Sequence, residues 1–112
     1  MIHLTEQTVI MLATAPADFR CGIDGLAARV QRLGGDPRSG CLFVFHNRAK
    51  TMIRILAYER QVSEAGQGYW LISKRLSRGR FQHWPTAKSP LKPQAAHQLR
   101  QLLNNLLSSG DV

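Results

Sequence analysis

The chain has 112 residues, 44% of them hydrophobic, which is enough for one domain with a single core and leaves little room for a second. Lys and Arg number 15 against 7 Asp and Glu, a net charge of +8 that makes a polyanionic partner plausible. Two cysteines, Cys21 and Cys41, are too few for a disulfide scaffold and too far apart for a C-x-x-C zinc or redox motif, so a reducing, cytoplasmic setting fits best. No run approaches the roughly 20 apolar residues of a membrane span, and the first residues lack the order of a signal peptide, so no membrane partner is expected.

Residues 8 to 13, Thr-Val-Ile-Met-Leu-Ala, form a short β-branched apolar run closed by Pro16 and predict a buried strand. Ile23, Leu26, Ala27, Val30 and Leu33 recur at the spacing of one helix face, with Gly34 and Gly35 as the stop and Asp18 or Asp24 available at the start. Gly22 and Gly25 weaken its first turn. The turn formers 34 to 40 lead into Cys41-Leu42-Phe43-Val44-Phe45, apolar at every position and therefore a central strand buried on both faces. Asn47 to Lys50 is a polar turn of hairpin length. Beyond it Ile53, Ile55 and Ala57 alternate with Met52, Arg54, Leu56, Tyr58 and Arg60. A second turn around Ser63, Gly66 and Gly68 returns the chain as Tyr69 to Leu76, completing a meander.

Residues 77 to 92 read as irregular, with Phe81 and Trp84 packing the segment on the sheet. A last, amphipathic helix is expected over 93–109, opened by Pro93 and carrying Leu99, Leu102, Leu103, Leu106 and Leu107 along one stripe. The expected fold is a single α+β domain over 1–112: a mainly antiparallel sheet in the order β-α-β-β-β-α, two helices on one face, and Arg and Lys on the other.

The charge is uneven. Residues 1 to 64 hold 8 basic and 6 acidic groups, whereas residues 65 to 112 hold 7 basic and 1 acidic. Between Glu64 and Asp111 no carboxylate neutralises Lys74, Arg75, Arg78 or Arg80 locally, so this cluster is either a solvated face or a contact surface. Catalytic patterns are missing by comparison. The carboxylates are scattered among turns and a helix, no two of His3, His46, His83 and His97 share an i, i+4 spacing, and no G-x-S-x-G, Walker A or G-x-G-x-x-G motif occurs. Neither an enzyme nor a cofactor is expected.

Three blocks then carry a resemblance. Asp18-Phe-Arg-Cys-Gly-Ile-Asp-Gly-Leu-Ala resembles the D-M-R-K-G-x-D-G-L-A block of the small second-frame protein (TnpB-type) of insertion-sequence-66 transposons. Asp36-Pro-Arg-Ser-Gly-Cys-Leu-Phe-Val-Phe-His-Asn-Arg resembles its D-P-x-S-G-x-L-F-V-F-x-N-R block, and Lys74-Arg75-Leu76, Gly79, Phe81 and Trp84-Pro85 its closing K-R-L-x-x-G-x-F-x-W-P block. The order is preserved over 8–85; Cys21 stands where the family usually has a basic residue. The resemblance implies an accessory protein of a mobile element that works beside a larger DDE-type transposase and does not itself transfer strands.

Two readings of the working surface follow. In the first, Lys74, Arg75, Arg78 and Arg80, extended by Arg54, bind the phosphates of transposon DNA at its terminal repeats, and Trp84 either stacks on an unpaired base or anchors the loop in the core. In the second, Leu99, Leu103, Leu106 and Leu107 dock on the transposase or on a second copy of the chain as a homodimer, or simply fill the core.

Overall fold

The computed structural model describes residues 8–59, 66–81, 84 and 90–94. In chain order these form β1 (Ile10–Ala13), a 3₁₀ turn (Phe19–Cys21), α1 (Gly22–Arg32), β2 (Leu42–His46), β3 (Met52–Glu59), β4 (Gly68–Arg75) and β5 (Leu91–Gln94). β2 is buried at every position because it lies third in a five-stranded sheet of order β4-β3-β2-β1-β5, with apolar layers on both sides.

β1 and β2 run parallel, Ile10 opposite Leu42 and Leu12 opposite Val44, while β2 with β3, β3 with β4 and β1 with β5 are antiparallel. The parallel pair follows from α1. A chain that leaves one strand and crosses back along a helix enters the next strand in the same direction. The expected mainly antiparallel sheet with two helices on one face is therefore corrected to a mixed, five-stranded sheet. Among the described residues one α-helix packs on it.

Pro93 does not open a helix; it sits in β5 opposite Met11, and Leu91 lies opposite Ala13. On an edge strand the missing N–H of proline breaks no interior ladder, and proline holds the preceding Lys92 extended. The rest of the expected 93–109 helix, with Leu99, Leu102, Leu103, Leu106 and Leu107, lies outside the described residues.

Asp18 and a glycine set the entry to α1. The Asp18 side chain accepts the N–H of Arg20 at 3.0 Å and caps the 3₁₀ turn. Gly22 then adopts φ +68°, a left-handed step that an L side chain rarely takes, and swings the chain into the helix; it is a requirement of the turn, not a weakness of the helix. Leu26 and Val30 are fully buried, each worth about 1.5–3 kcal/mol of apolar burial. The helix ends as its glycines predict: Gly34 N–H bonds Gln31 O at 3.0 Å and Gly35 N–H bonds Val30 O at 2.9 Å, with Gly34 at φ +93°.

Both faces of the sheet are apolar. On the α1 side Phe43, Phe45, Leu56 and Leu91 meet Leu26 and Val30. On the opposite side Ile10, Leu12, Leu42, Val44, Ile53 and Ala57 are closed over by Phe81 and Trp84. This overturns the expected Arg and Lys face. β1 and β2 carry apolar residues on both pleats, and water on one of them would leave half their burial unrealised. The charges go elsewhere.

Candidate nucleic-acid interface

The charges collect at one end of the sheet. In the β3–β4 pair the first residues of β3 lie beside the last of β4: Met52 faces Arg75 and Ile53 faces Lys74. The turn that enters β3 and the loop that leaves β4 therefore share an end, and hydrogen bonds clip them together. Leu76 N–H donates to Thr51 O at 2.8 Å, and Phe81 N–H to Lys50 O at 2.6 Å. The loop 76–81 thus runs along the turn 47–51.

Asn47 holds that turn in shape. Its Oδ1 accepts the N–H groups of Thr51 at 2.9 Å and Met52 at 3.1 Å, while its Nδ2 donates to Thr51 Oγ1 at 3.0 Å. Lys50 takes φ 59°, a left-handed conformation at the tip. Arg48 and Lys50 consequently stand exposed next to Arg78 and Arg80, also exposed, and to Lys74 and Arg75 at the end of β4. None of these six forms an ion pair among the described residues.

The predicted cations do not all share one face. Successive residues of a strand point to opposite sides, so Lys74 lies on the side of Phe81 and Trp84, and Arg75 on the side of α1. They converge only at the rim. Arg54 is half-buried on the α1 side: Nη1 donates to Phe19 O at 2.6 Å and the guanidinium lies 4.9 Å from the centroid of the Phe19 ring. Its work in the fold is to hold the 3₁₀ turn on the sheet. Trp84 is 7% exposed, donates its indole N–H to Ala13 O at 2.9 Å and packs 4.6 Å from the His46 ring. With Phe81 it anchors the exit loop, the second of the roles open to it in the sequence.

Arg48, Lys50, Arg20 and Arg29 were not among the residues singled out by sequence. A signal for the first two existed, since a meander necessarily places the turn before its second strand beside the exit of its third. Arg20 and Arg29 join through the segment 16–20, which Ala17 N–H ties to His46 O at 2.9 Å, at the carboxyl end of β2. Asp18 answers this charge only partly. Arg20 grips it through Nε to Oδ1 at 3.0 Å and Nη2 to Oδ2 at 2.9 Å, and those hydrogen bonds lower the Asp18 carboxyl from 3.8 to about 2.

Among the described residues no three His, Cys, Asp or Glu side chains gather as metal ligands, and no helix is long and apolar enough to cross a membrane. The arrangement is a rim of guanidinium and ammonium groups on a rigid sheet end, suited to hold phosphates or carboxylates.

A family model of IS66 Orf2-like proteins matches residues 8–109. The chain belongs to the IS66 Orf2-like family. It is 38% identical over 107 residues to Uncharacterized protein y4hO of Sinorhizobium fredii, covering 95% of this chain and 87% of that one. Uncharacterized protein y4jC of the same organism is 33% identical over 112 residues, covering 99% of this chain and 86% of its own. No solved structure matches. As an IS66 Orf2-like protein the chain is associated with transposition as an accessory component. All three sequence blocks that carried the resemblance contribute to the cationic end: Asp18 to Arg20, Asn47 with Arg48, and Lys74 to Phe81.

Proposed function

We propose that this IS66 Orf2-like protein is a non-catalytic transposition factor that binds the DNA of its element, at the terminal repeats, through the cationic end of its sheet, beside the larger transposase that performs strand transfer. The observation that carries the reading is the clip between the turn 47–51 and the loop 76–81, which sets Arg48, Lys50, Arg78 and Arg80 side by side without ion-pair partners among the described residues. Phosphate contacts dominate such a surface, so affinity is salt-dependent and sequence preference weak. Lys74 and Arg75 extend it at the rim, and Arg54 and Trp84 support it from beneath.

A salt titration tests this. With ~3–4 phosphates engaged, the log-log slope on duplex DNA is about −3. Replacing Arg75, Arg78 and Arg80 together with Ala abolishes the gel shift on terminal-repeat duplex, random duplex and single strand alike. An unchanged shift would sink the reading.

A second reading has its own observation. β4 is an edge strand on which Trp70 and Ile72, 39% and 45% exposed, lie on one side, and an edge with exposed apolar residues offers a protein partner a place to dock. In that case the transposase or a second copy binds there, with the Leu99, Leu103, Leu106 and Leu107 stripe as the alternative contact. Trp70→Ser with Ile72→Ser, read by sedimentation of the chain alone and by co-purification with the transposase, distinguishes it from DNA binding.

A further inference from the structure

Between the segment that follows β1 and the turn that follows β2 lies an open cleft of about 630 Å³. Its walls include Asp18, Phe19, Arg20, Arg29, Asn47 and Arg48. Three arginines and one aspartate thus line it, and the aspartate carboxylate is already engaged by Arg20. Arg54 backs the Phe19 wall from the sheet.

The donors are unequally used. Arg29 gives one Nη2 hydrogen bond to Pro16 O at 3.0 Å, whereas its Nε–H is buried with no hydrogen-bond partner. A buried charged donor left unpaired is costly, and an acceptor brought within reach of it recovers that cost. Arg48 on the opposite wall is exposed and without an ion-pair partner among the described residues. The carboxyl ends of two adjacent parallel strands are, in open α/β sheets generally, where loops separate enough to admit a ligand. The volume falls in the range of small-molecule sites, about 300–1,000 Å³, and is far too confined for a duplex. Guanidinium forks match the oxygens of a phosphate bidentately, and the Phe19 ring supplies an apolar wall beside them.

We propose that this cleft binds the phosphate of a single nucleotide unit, presented by an unpaired strand end or by a free nucleotide. The inference rests on nucleic acid being the partner of this end of the sheet, and it adds a pocket that selects one phosphate to a rim that holds many.

The test uses the full chain and thymidine 5′-monophosphate, with thymidine as control, followed by isothermal titration and by NMR shifts at Arg29 Hε and Phe19. The monophosphate binds and thymidine does not. The R20Q/R48Q variant, altered at two exposed side chains, loses about tenfold in affinity for it, and R78Q/R80Q loses none. Thymidine binding as well as its monophosphate, or an R20Q/R48Q variant unchanged toward it, overturns the cleft. A second arm compares 5′-phosphorylated with 5′-hydroxyl dodecathymidylate: preference for the phosphorylated strand, lost in R20Q/R48Q, assigns the cleft to strand ends, and equal binding with the monophosphate result intact assigns it to free nucleotides. The two readings fail separately. Monophosphate binding without any oligonucleotide binding keeps the cleft and removes the DNA interface; duplex binding lost only in R78Q/R80Q, with no monophosphate binding, keeps the interface and removes the cleft.

Discussion

The two ends of the sheet use their polar groups differently. At the far end, where β3 finishes and β4 begins, the groups satisfy one another: Trp70 Nε1 donates to Glu59 Oε2 at 2.7 Å, Arg38 lies 5.3 Å from the Tyr58 ring, and Tyr58 meets Tyr69 edge-on at 4.9 Å. Asp36 accepts the N–H of Arg38 at 3.0 Å, and a hydrogen bond from Arg38 to Tyr69 raises its guanidinium pKa further. At the near end Arg48, Lys50, Lys74, Arg75, Arg78 and Arg80 find no such partners among the described residues, and their common backbone is pinned by Phe81 and Trp84 below. One end spends its polar groups on the fold, and the other holds its cations in place for something outside it.

That contrast can be broken most forcefully from beneath. Trp84→Ala removes a buried ring and an indole hydrogen bond, and is expected to cost about 3–5 kcal/mol in urea unfolding. A cost below about 1 kcal/mol would mean that the exit loop is not anchored there. Next in size, Arg75, Arg78 and Arg80→Ala should weaken DNA binding by about a hundredfold or more, whereas Arg32 and Arg38→Ala at the far end should leave it within about twofold; equal losses at both ends, measured by fluorescence anisotropy, erase the distinction. Asn47→Ala strips the turn of an acceptor for two backbone N–H groups and should destabilise by about 1–2 kcal/mol, with hydrogen exchange at Thr51 and Met52 accelerated more than at Glu59.

The smallest effect is one of pH. Because the Asp18 carboxyl is lowered from 3.8 to about 2 in the folded protein, its contribution is fully present above the ordinary value and is lost as pH falls through about 2. The pair with Arg20 is solvent-exposed, so the change in stability is minor and the titration itself is the readout. An NMR midpoint for Asp18 near 2, returning to the ordinary range in R20Q, is the expected result.

Much of the fold could be read from residue order. The spacing of Leu26 and Val30, the double glycine at 34 and 35, the uninterrupted run 41–45 and the alternation of β3 with β4 each reported a local preference that the structure kept. The depth of Phe81 and Trp84 was legible for the same reason, since large aromatics in a polar loop need a place to be buried. β5 was not. Its four residues owe their extended state to pairing with β1, and Pro93 reads equally well as the first residue of a helix. The candidate site was half visible: the cations of 74–80 announced themselves by lacking acidic neighbours in sequence, while Arg20, Arg29 and Arg48 lie among ordinary charges and become a site only where two loops meet.

The chain by itself determined α1, the strands β1 to β4 and how much positive charge lacks an acidic neighbour in sequence, because periodicity, turn residues and composition act over a few neighbours. Tertiary structure alone decided where that charge is placed. Parallel pairing of β1 with β2 buried both faces of the central strands, left neither face as a continuous Arg and Lys surface, and made the loop end the place where cations from distant parts of the chain could assemble without giving up hydration.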